Sequence, residues 1–272
     1  MSPRVILVTG TSRGVGAALR AHLIARGHVV YGSSRAPRGG DPFDLELDVT
    51  ERASCTRAVQ TVLEREGRID ALVNNAGSHL VGAAAETSED ELRAQLELNF
   101  FGAVAMIEAV LPAMIEARRG NILNLSSVGG RFAMPFTAAY SASKFALEGY
   151  TEALRLELLP LRVFVTNLEP GYLKTGTTDR SLFQVKGGGT VYEEPRASAW
   201  ARMQQEAQGG TDLARVGRVV ERILESRHPK FRYSIDGLVP RLHALRALLP
   251  TAVFEGIVLS LQAPELRPSL AG

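Results

Sequence analysis

Residues 5–16 read Val5-Ile6-Leu7-Val8-Thr9-Gly10-Thr11-Ser12-Arg13-Gly14-Val15-Gly16. Four apolar residues in a row indicate a strand buried on both faces, as in a parallel sheet. The glycines after it permit a tight turn into a helix, and they let the backbone approach a pyrophosphate at the helix N-terminus. A glycine-rich turn alone can be purely structural, but its place between a strand and a helix favours nucleotide binding.

The same alternation of short apolar runs and longer helical patterns continues along the chain. We predict strands at 4–9, 28–33, 44–47, 69–74, 120–126 and 161–168, and helices at 14–26, 51–66, 88–117 and 137–159. Alternation at this spacing predicts right-handed βαβ units. The expected fold class is therefore α/β: a single doubly wound parallel-sheet Rossmann domain over residues 1–272.

The pattern changes after the sixth strand. Residues 172–211 contain a glycine run and Pro195, and we expect an irregular substrate loop or lid there. A helix at 212–227 and a strand at 231–235 follow. The C-terminal extension, 238–272, is expected to hold apolar helices broken at Pro250.

Charge and composition exclude several function classes. The 272 residues carry 31 Lys and Arg against 29 Asp and Glu, a net charge of +2. The basic residues are scattered, so neither a nucleic-acid tract nor a polybasic membrane anchor is expected. The lone Cys55 excludes an internal disulfide, and His228 and His243 have no ligand partners at metal-binding spacing, so we expect no metal. No signal peptide or transmembrane segment is expected, which predicts a cytoplasmic protein.

A tyrosine and a lysine four residues apart form the candidate acid/base pair. On a helix Tyr140 and Lys144 share a face, and Ser127 precedes them by thirteen residues. A free tyrosine has a pKa of about 10, and a neighbouring ammonium lowers it by stabilising the phenolate. Alone the pair is a weak signal, because a solvated lysine beside a half-buried ring gives the same pattern.

The end of the second strand bears on cofactor choice. An NAD site usually places an acidic residue there to bind the ribose hydroxyl, whereas this chain has Ser33, Ser34 and Arg35. Arg35 and Arg13, with the two serine hydroxyls, can hold a 2′-phosphate through charge-assisted hydrogen bonds. Because an arginine at a strand end is often merely solvated, both cofactors stay open, with NADP(H) preferred over NAD(H).

Taken together, the motifs resemble the classical short-chain dehydrogenase/reductase family. The matching segments are Thr9 to Gly16, Asp48-Val49, Asn74-Asn75-Ala76-Gly77, Asn99, Ser127, Tyr140 with Lys144, and Pro170-Gly171 with Thr175. The resemblance implies four catalytic residues, Asn99, Ser127, Tyr140 and Lys144. It implies a cofactor site made of Gly10, Ser12, Arg13, Gly14, Val15, Gly16, Arg35, Asp48, Val49, Asn75, Ala76, Gly77, Tyr140, Lys144, Pro170, Gly171 and Thr175.

The resemblance also implies the chemistry. A hydride would pass between the nicotinamide and a secondary alcohol, ketone or aldehyde, with Ser127 and Tyr140 binding the carbonyl oxygen and Tyr140 donating the proton. Lys144 would bind the nicotinamide ribose and tune the pKa of Tyr140, while Asn99 would hold a water through its backbone carbonyl. Taken alone, Ser127 could equally be a loop cap and Asn99 an ordinary polar position in a helix.

The sequence gives weaker indications of the substrate class and of the oligomeric state. The segment 231–237 and the apolar tail resemble the hydroxysteroid- and retinol-dehydrogenase-like branch, which implies a hydrophobic substrate. The family resemblance implies a homodimer or homotetramer, because the helices near 88–117 and 137–159 commonly form the family's dimer interface. His79 and Trp200 are candidate pocket residues, but an exposed loop histidine and a packing tryptophan fit equally well. An epimerase is disfavoured, because the glycine spacing differs. A non-catalytic NADP-binding scaffold or redox sensor stays open as the alternative function.

Overall fold

Strands and helices alternate along the computed structural model, which describes residues 2–37, 39–175 and 182–266. Its strands are β1 (Val5–Val8), β2 (Val29–Ser34), β3 (Asp44–Glu46), β4 (Ala71–Asn74), β5 (His79–Val81), β6 (Gly120–Leu125), β7 (Val163–Glu169), β8 (Leu182–Gln184) and β9 (Arg232–Ser234). Its α-helices are α1 (Gly14–Ala25), α2 (Arg52–Glu66), α3 (Glu89–Leu96), α4 (Gly102–Glu116), α5 (Ala138–Leu158), α6 (Glu193–Gly209), α7 (Leu213–Glu225), α8 (Leu238–Leu248) and α9 (Thr251–Gln262).

The central sheet has seven parallel strands in the order β3-β2-β1-β4-β6-β7-β9. β1 pairs with β2 on one side and with β4 on the other, so the strand order reverses direction at β1. Ligands of open α/β sheets bind at such a switch point, outside the carboxyl ends of the strands. The predicted doubly wound parallel sheet is confirmed.

Helices cover both faces of this sheet. Val5 and Leu7 of β1 belong to a core shared with α2, α4 and α5, while Ile6 and Val8 belong to a core shared with α1 and α7. Successive side chains of a strand point to opposite faces, so a strand with helices on both sides is apolar throughout. This double burial explains the unbroken apolar run at residues 5–8.

Residues 172–211 were expected to be irregular, and that expectation was wrong for most of the described part. The 17-residue helix α6 lies here, and β8 pairs in parallel with β5 to form a separate two-stranded sheet. The glycine run precedes α6 and does not interrupt it. Pro195 is the third residue of α6, in the first turn, where the missing N–H has no helical partner to lose. Residues 176–181 of this segment lie outside the described residues.

The helix predicted at 88–117 is interrupted. Ser88 begins α3 with a capping box to Glu91, and a π-helical turn, Glu97–Phe101, separates α3 from α4. By length and composition alone, the continuous stretch Glu89–Glu116 could cross a membrane, but half of its apolar 18-residue window is buried within the protein. Much of α4 packs in the core, as expected for a helix that covers a sheet.

Candidate active site

A cavity of about 740 Å³ lies at the carboxyl ends of the central strands. It brings together segments that are far apart in sequence, because those strand ends share one edge of the sheet. Of the predicted site residues, it is lined by Gly10, Ser12, Arg13, Gly14, Val15, Gly16, Arg35, Asp48, Val49, Asn75, Ala76, Gly77, Ser127, Tyr140, Lys144, Pro170, Gly171 and Thr175. Asn99, the remaining residue of that predicted set, does not line it.

The glycine turn after β1 has a compact backbone that only glycine permits at Gly10 and Gly16. Gly10 has φ +70°, and a Cβ on Gly16 would lie 2.2 Å from the carbonyl oxygen of Gly10. The Asn75 side-chain amide donates to the carbonyls of Thr9 and Gly10 at 2.8 and 3.0 Å, and the Thr9 hydroxyl accepts from the backbone N–H of Ala76. The turn is therefore held against the loop after β4, with bare backbone facing the cavity. These residues fit a bound pyrophosphate.

The end of β2 provides cationic side chains at the same cavity. Arg35 and Arg13 are exposed, and Ser34 lines the cavity beside Arg35. Ser33 was expected to join them, but it is buried and its hydroxyl donates to the carbonyl of Val8 at 3.3 Å. Alternate residues of a strand face opposite sides, so only one of the two serines can face the cavity.

Ser127 and Tyr140 meet at the floor of the cavity. The Ser127 hydroxyl accepts a hydrogen bond from the backbone N–H of Gly129 at 3.0 Å, so the serine caps a short turn as well as facing the cavity. Burial raises the pKa of Tyr140, and a side-chain hydrogen bond with Ser127 partly offsets that rise. The lowered tyrosine pKa expected from the sequence is thus not found in the protein alone.

The ammonium of Lys144 lies near the Tyr140 ring and is anchored to the end of β6. Its Nζ is 5.8 Å from the centroid of the Tyr140 ring and donates to the carbonyl of Leu125 at 2.7 Å. Burial lowers the pKa of Lys144 to about 8, while the carboxylate of Glu148 opposes that shift. Lys144 can therefore gain or lose a proton within the pH range in which enzymes work.

Asn99 sits behind the cavity, in the π-helical turn. Its Oδ1 accepts from the backbone N–H of Ser78 at 2.9 Å, and its Nδ2 donates to the Ser78 carbonyl and to the Ser143 hydroxyl at 2.9 and 3.0 Å. The side chain therefore anchors the loop after β4 to helix α5. The role expected for its backbone carbonyl stays a prediction.

Two further residues, His79 and Tyr172, line the cavity beside the predicted catalytic residues. The imidazole of His79 stacks on the phenol of Tyr140 with centroids 3.8 Å apart and planes at 15°. Burial, and then the positive charge of Lys144, lower the pKa of His79 to about 3. Tyr172, which the sequence did not single out, lines the same cavity together with Trp200. The Pro170-Gly171 pair, already predicted to lie at the cofactor site, could have pointed to Tyr172, because the residue after this pair also lies at the carboxyl end of β7.

Histidines elsewhere have structural partners. His228 packs edge-on against Phe164, and the Nε2 of His243 lies 3.0 Å from the guanidinium of Arg131. Over residues 2–37, 39–175 and 182–266, no three His, Cys, Asp or Glu side chains are grouped as metal ligands would be.

Comparison with known proteins gives a consistent set of relatives. The family model for short chain dehydrogenases matches residues 4–184. A 3-ketodihydrosphingosine reductase of Bacteroides thetaiotaomicron is 40% identical over 247 residues, which cover 90% of this chain and 92% of the relative. The dehydrogenase/reductase SDR family member 7B of Xenopus laevis is 32% identical, with coverage of 92% of this chain and 79% of the relative.

Solved structures agree with these relatives. A short-chain dehydrogenase from Streptomyces avermitilis superposes with a TM-score of 0.82 at 31% identity, over 96% of this chain and 98% of the other. A short chain dehydrogenase from Burkholderia cenocepacia, solved in complex with NADP, superposes with a TM-score of 0.70 at 26% identity, over 98% of both chains.

Proposed function

Because this chain belongs to the short chain dehydrogenase family of oxidoreductases, we propose that it is an NADPH-dependent reductase of hydrophobic ketones. The observation that carries the proposal is the convergence of Ser127, Tyr140 and Lys144 in the cavity that also holds the glycine turn. The reverse reaction, oxidation of the secondary alcohol, uses the same groups, and an aldehyde substrate would be handled in the same way.

The chain's own residues provide orientation and a proton. NADPH, when bound, supplies the hydride. The hydroxyls of Ser127 and Tyr140 hold the carbonyl oxygen, and Tyr140 gives its proton to that oxygen as negative charge develops there. The protonated Lys144 lies 5.8 Å from the Tyr140 ring centroid, where its charge stabilises the phenolate that remains.

The proposed preference for NADPH rests on Arg35 and Arg13. Both are exposed, and both line the cavity together with Ser34. A guanidinium binds a phosphate through paired, charge-assisted hydrogen bonds. The NADP complex of the Burkholderia relative supports the same cofactor.

An aspartate at position 35 tests this preference. We expect Arg35→Asp to raise the KM for NADPH at least tenfold and to change the KM for NADH much less, because only NADPH carries the 2′-phosphate. Arg57→Asp, an exposed arginine on α2 outside the cavity, is the matched control. Equal effects of Arg35→Asp on both cofactors would contradict the assignment.

The proposed substrate class rests on the cavity wall and on one relative. Leu182, Trp200 and Met203 line the cavity and pack in one apolar cluster. The Bacteroides relative is named for a long-chain ketone, 3-ketodihydrosphingosine. Both observations support a ketone with a long hydrocarbon substituent.

NADPH oxidation at 340 nm across a panel of ketones of increasing chain length tests the activity. We expect kcat/KM to rise with chain length, since each buried methylene group adds about 0.8 kcal/mol of binding. Stoichiometric NADPH binding without turnover of any ketone would support the non-catalytic scaffold instead. The cytoplasmic location, the single-domain organisation and the homo-oligomer stay predictions.

A further inference from the structure

The Tyr140 ring is held by two neighbours that take no part in the proton transfer described for its hydroxyl. The imidazole of His79 lies on the ring with centroids 3.8 Å apart and planes at 15°. A Cβ on Gly129 would lie 3.1 Å from Cε1 of the same ring, so the turn after Ser127 approaches the ring more closely than most side chains would allow. Both contacts restrict the movement of a side chain whose hydroxyl must meet the substrate oxygen.

The backbone that carries His79 is anchored on both sides of this residue. The carbonyl of Ser78 accepts hydrogen bonds from the side-chain amides of Asn99 and Gln95 at 2.9 and 3.0 Å. The Oε1 of Gln95 accepts from the backbone N–H of Leu80 at 2.7 Å. Both amide side chains are buried, and β5 pairs with β8 along its length. The imidazole therefore projects from a backbone that is fixed before and after it.

The far end of β5 is joined to the helix that carries Tyr140. The backbone N–H of Gly82 donates to the carbonyl of Phe136 at 2.9 Å, and Gly82 forms a parallel bridge with Thr137, the N-cap residue of α5. Gly82 is three residues after His79, and Thr137 is three residues before Tyr140. The stacked arrangement of the two rings is therefore supported by backbone contacts close to each of them.

The imidazole is suited to hold the ring and not to transfer a proton. Burial, and then the positive charge of Lys144, lower the pKa of His79 to about 3, so the imidazole is neutral around pH 7. A general acid or base needs a pKa closer to the working pH. A neutral imidazole also adds no second positive charge beside Lys144. The contribution of His79 is thus steric and orientational.

Resting on the proposed ketone reduction, we propose that His79 is a positioning residue, whose stacked imidazole holds the Tyr140 ring in the orientation that places the phenol beside Ser127 and the substrate carbonyl. Proton transfer requires the hydroxyl within hydrogen-bond reach of the carbonyl oxygen, and small displacements from that geometry are costly. Loss of the stack should therefore lower kcat, while the binding of NADPH by the glycine turn is unaffected.

Two substitutions at position 79 separate stacking from space filling. His79→Leu fills the space without a flat ring, whereas His79→Phe keeps a ring that can stack on the phenol. We would measure kcat and the NADPH dissociation constant, with the ketone of the panel that wild type reduces with the highest kcat/KM. The value of kcat is calculated per NADPH-binding site titrated by nucleotide fluorescence, so unfolded protein does not count.

We expect His79→Leu to lower kcat about tenfold or more, since a misplacement of about 1 Å can cost about 100-fold. His79→Phe should keep kcat within about threefold of wild type, and NADPH affinity should change less than about twofold in both variants. In His79→Leu the alkaline fall in kcat should stay at the wild-type pH, because the neutral imidazole carries no charge. His228→Leu, which replaces a histidine packed edge-on against Phe164 outside the cavity, should leave kcat unchanged.

A second measurement needs neither turnover nor a folded leucine variant. The chain has six tyrosines, and NMR of protein carrying ¹³C-labelled tyrosine rings will show which signals Tyr140→Phe removes. In wild type these signals should lie upfield of those of free tyrosine, because a stacked ring shields the protons above its face. Tyr140 signals at the position of free tyrosine would overturn the stacking on which the inference depends.

The kinetic outcomes separate the positioning role from the activity. An unchanged kcat in His79→Leu, or equal losses in His79→Leu and His79→Phe, would overturn the role of His79 and leave the reductase activity standing. A wild-type enzyme inactive on every ketone of the panel would overturn the proposed function, and this inference with it.

Discussion

The ammonium of Lys144 donates a 2.7 Å hydrogen bond to the carbonyl oxygen of Leu125. Leu125 is the last residue of β6, and Ser127 follows two residues later. One contact therefore joins helix α5, which carries Tyr140, to the strand end that carries Ser127. This contact helps to fix the relative position of the two hydroxyls that we propose bind the substrate carbonyl.

The pH dependence of reduction should report the charge of Lys144. Its pKa is lowered to about 8, so we expect kcat to fall as the pH rises through about 8 and the ammonium loses its proton. The negative charge of Glu148 opposes this lowering, and Glu148→Gln should move the alkaline fall in kcat to lower pH. Glu152→Gln, with a carboxylate that is 57% exposed one turn further along α5, is the control. An identical pH profile for Glu148→Gln and wild type would contradict this role.

Removal of the Tyr140 hydroxyl tests the proton donor. We expect Tyr140→Phe to lower kcat about 10²- to 10⁴-fold, the usual contribution of a general acid. NADPH affinity should change little, which equilibrium binding measured by nucleotide fluorescence will check. Tyr150→Phe serves as the control for loss of a tyrosine hydroxyl from the same helix. A Tyr140→Phe enzyme within tenfold of the wild-type rate would remove Tyr140 from this role.

Glu169 should make the fold less stable as the pH rises toward neutrality. Burial, and then the charge of Glu148, raise the pKa of Glu169 to about 7, above its ordinary value of 4.5. The folded state holds the proton more tightly than the unfolded state, so this contribution to stability is fully present below pH 4.5 and is lost as the pH rises through about 7.

Urea unfolding at intervals between pH 4.5 and 7.5 measures this effect. The urea midpoint of wild type should fall relative to that of Glu169→Gln across the interval, because glutamine has no proton to lose. The comparison uses the change with pH, so any effect of the substitution on stability that does not vary with pH cancels. Parallel midpoints for the two proteins would show that Glu169 is ionised throughout.

A buried row of amides should contribute strongly to stability. The Asn74 amide donates to Oδ1 of Asn124 at 2.9 Å, and Nδ2 of Asn124 lies 3.2 Å from Oδ1 of Asn167. Asn124→Ala leaves both neighbours without these partners, and we expect the free energy of unfolding to fall by about 2 to 4 kcal/mol. Gln60→Ala, on the exposed face of α2, should change it by less than about 0.5 kcal/mol. A loss below about 1 kcal/mol for Asn124→Ala would contradict the expected penalty.

Local sequence patterns predicted much of this fold correctly, and they failed where local signals conflict. Gly187-Gly188-Gly189 and Pro195 suggested a loop, although the glycines stand before α6 and the proline occupies its first turn. Similarly, the run 88–117 was predicted as one helix, although a π-helical turn, Glu97–Phe101, divides it.

Sequence alone determined the elements whose cause is local. An unbroken apolar run, a glycine turn and the four-residue spacing of Tyr140 and Lys144 each follow from the geometry of neighbouring residues. The tertiary structure decided what surrounds that pair: the stacked imidazole of His79, Tyr172 in the same wall, and the burial that raises one pKa and lowers another. The physical reason is that desolvation and ring stacking depend on which distant segments pack together, and no local periodicity encodes that packing.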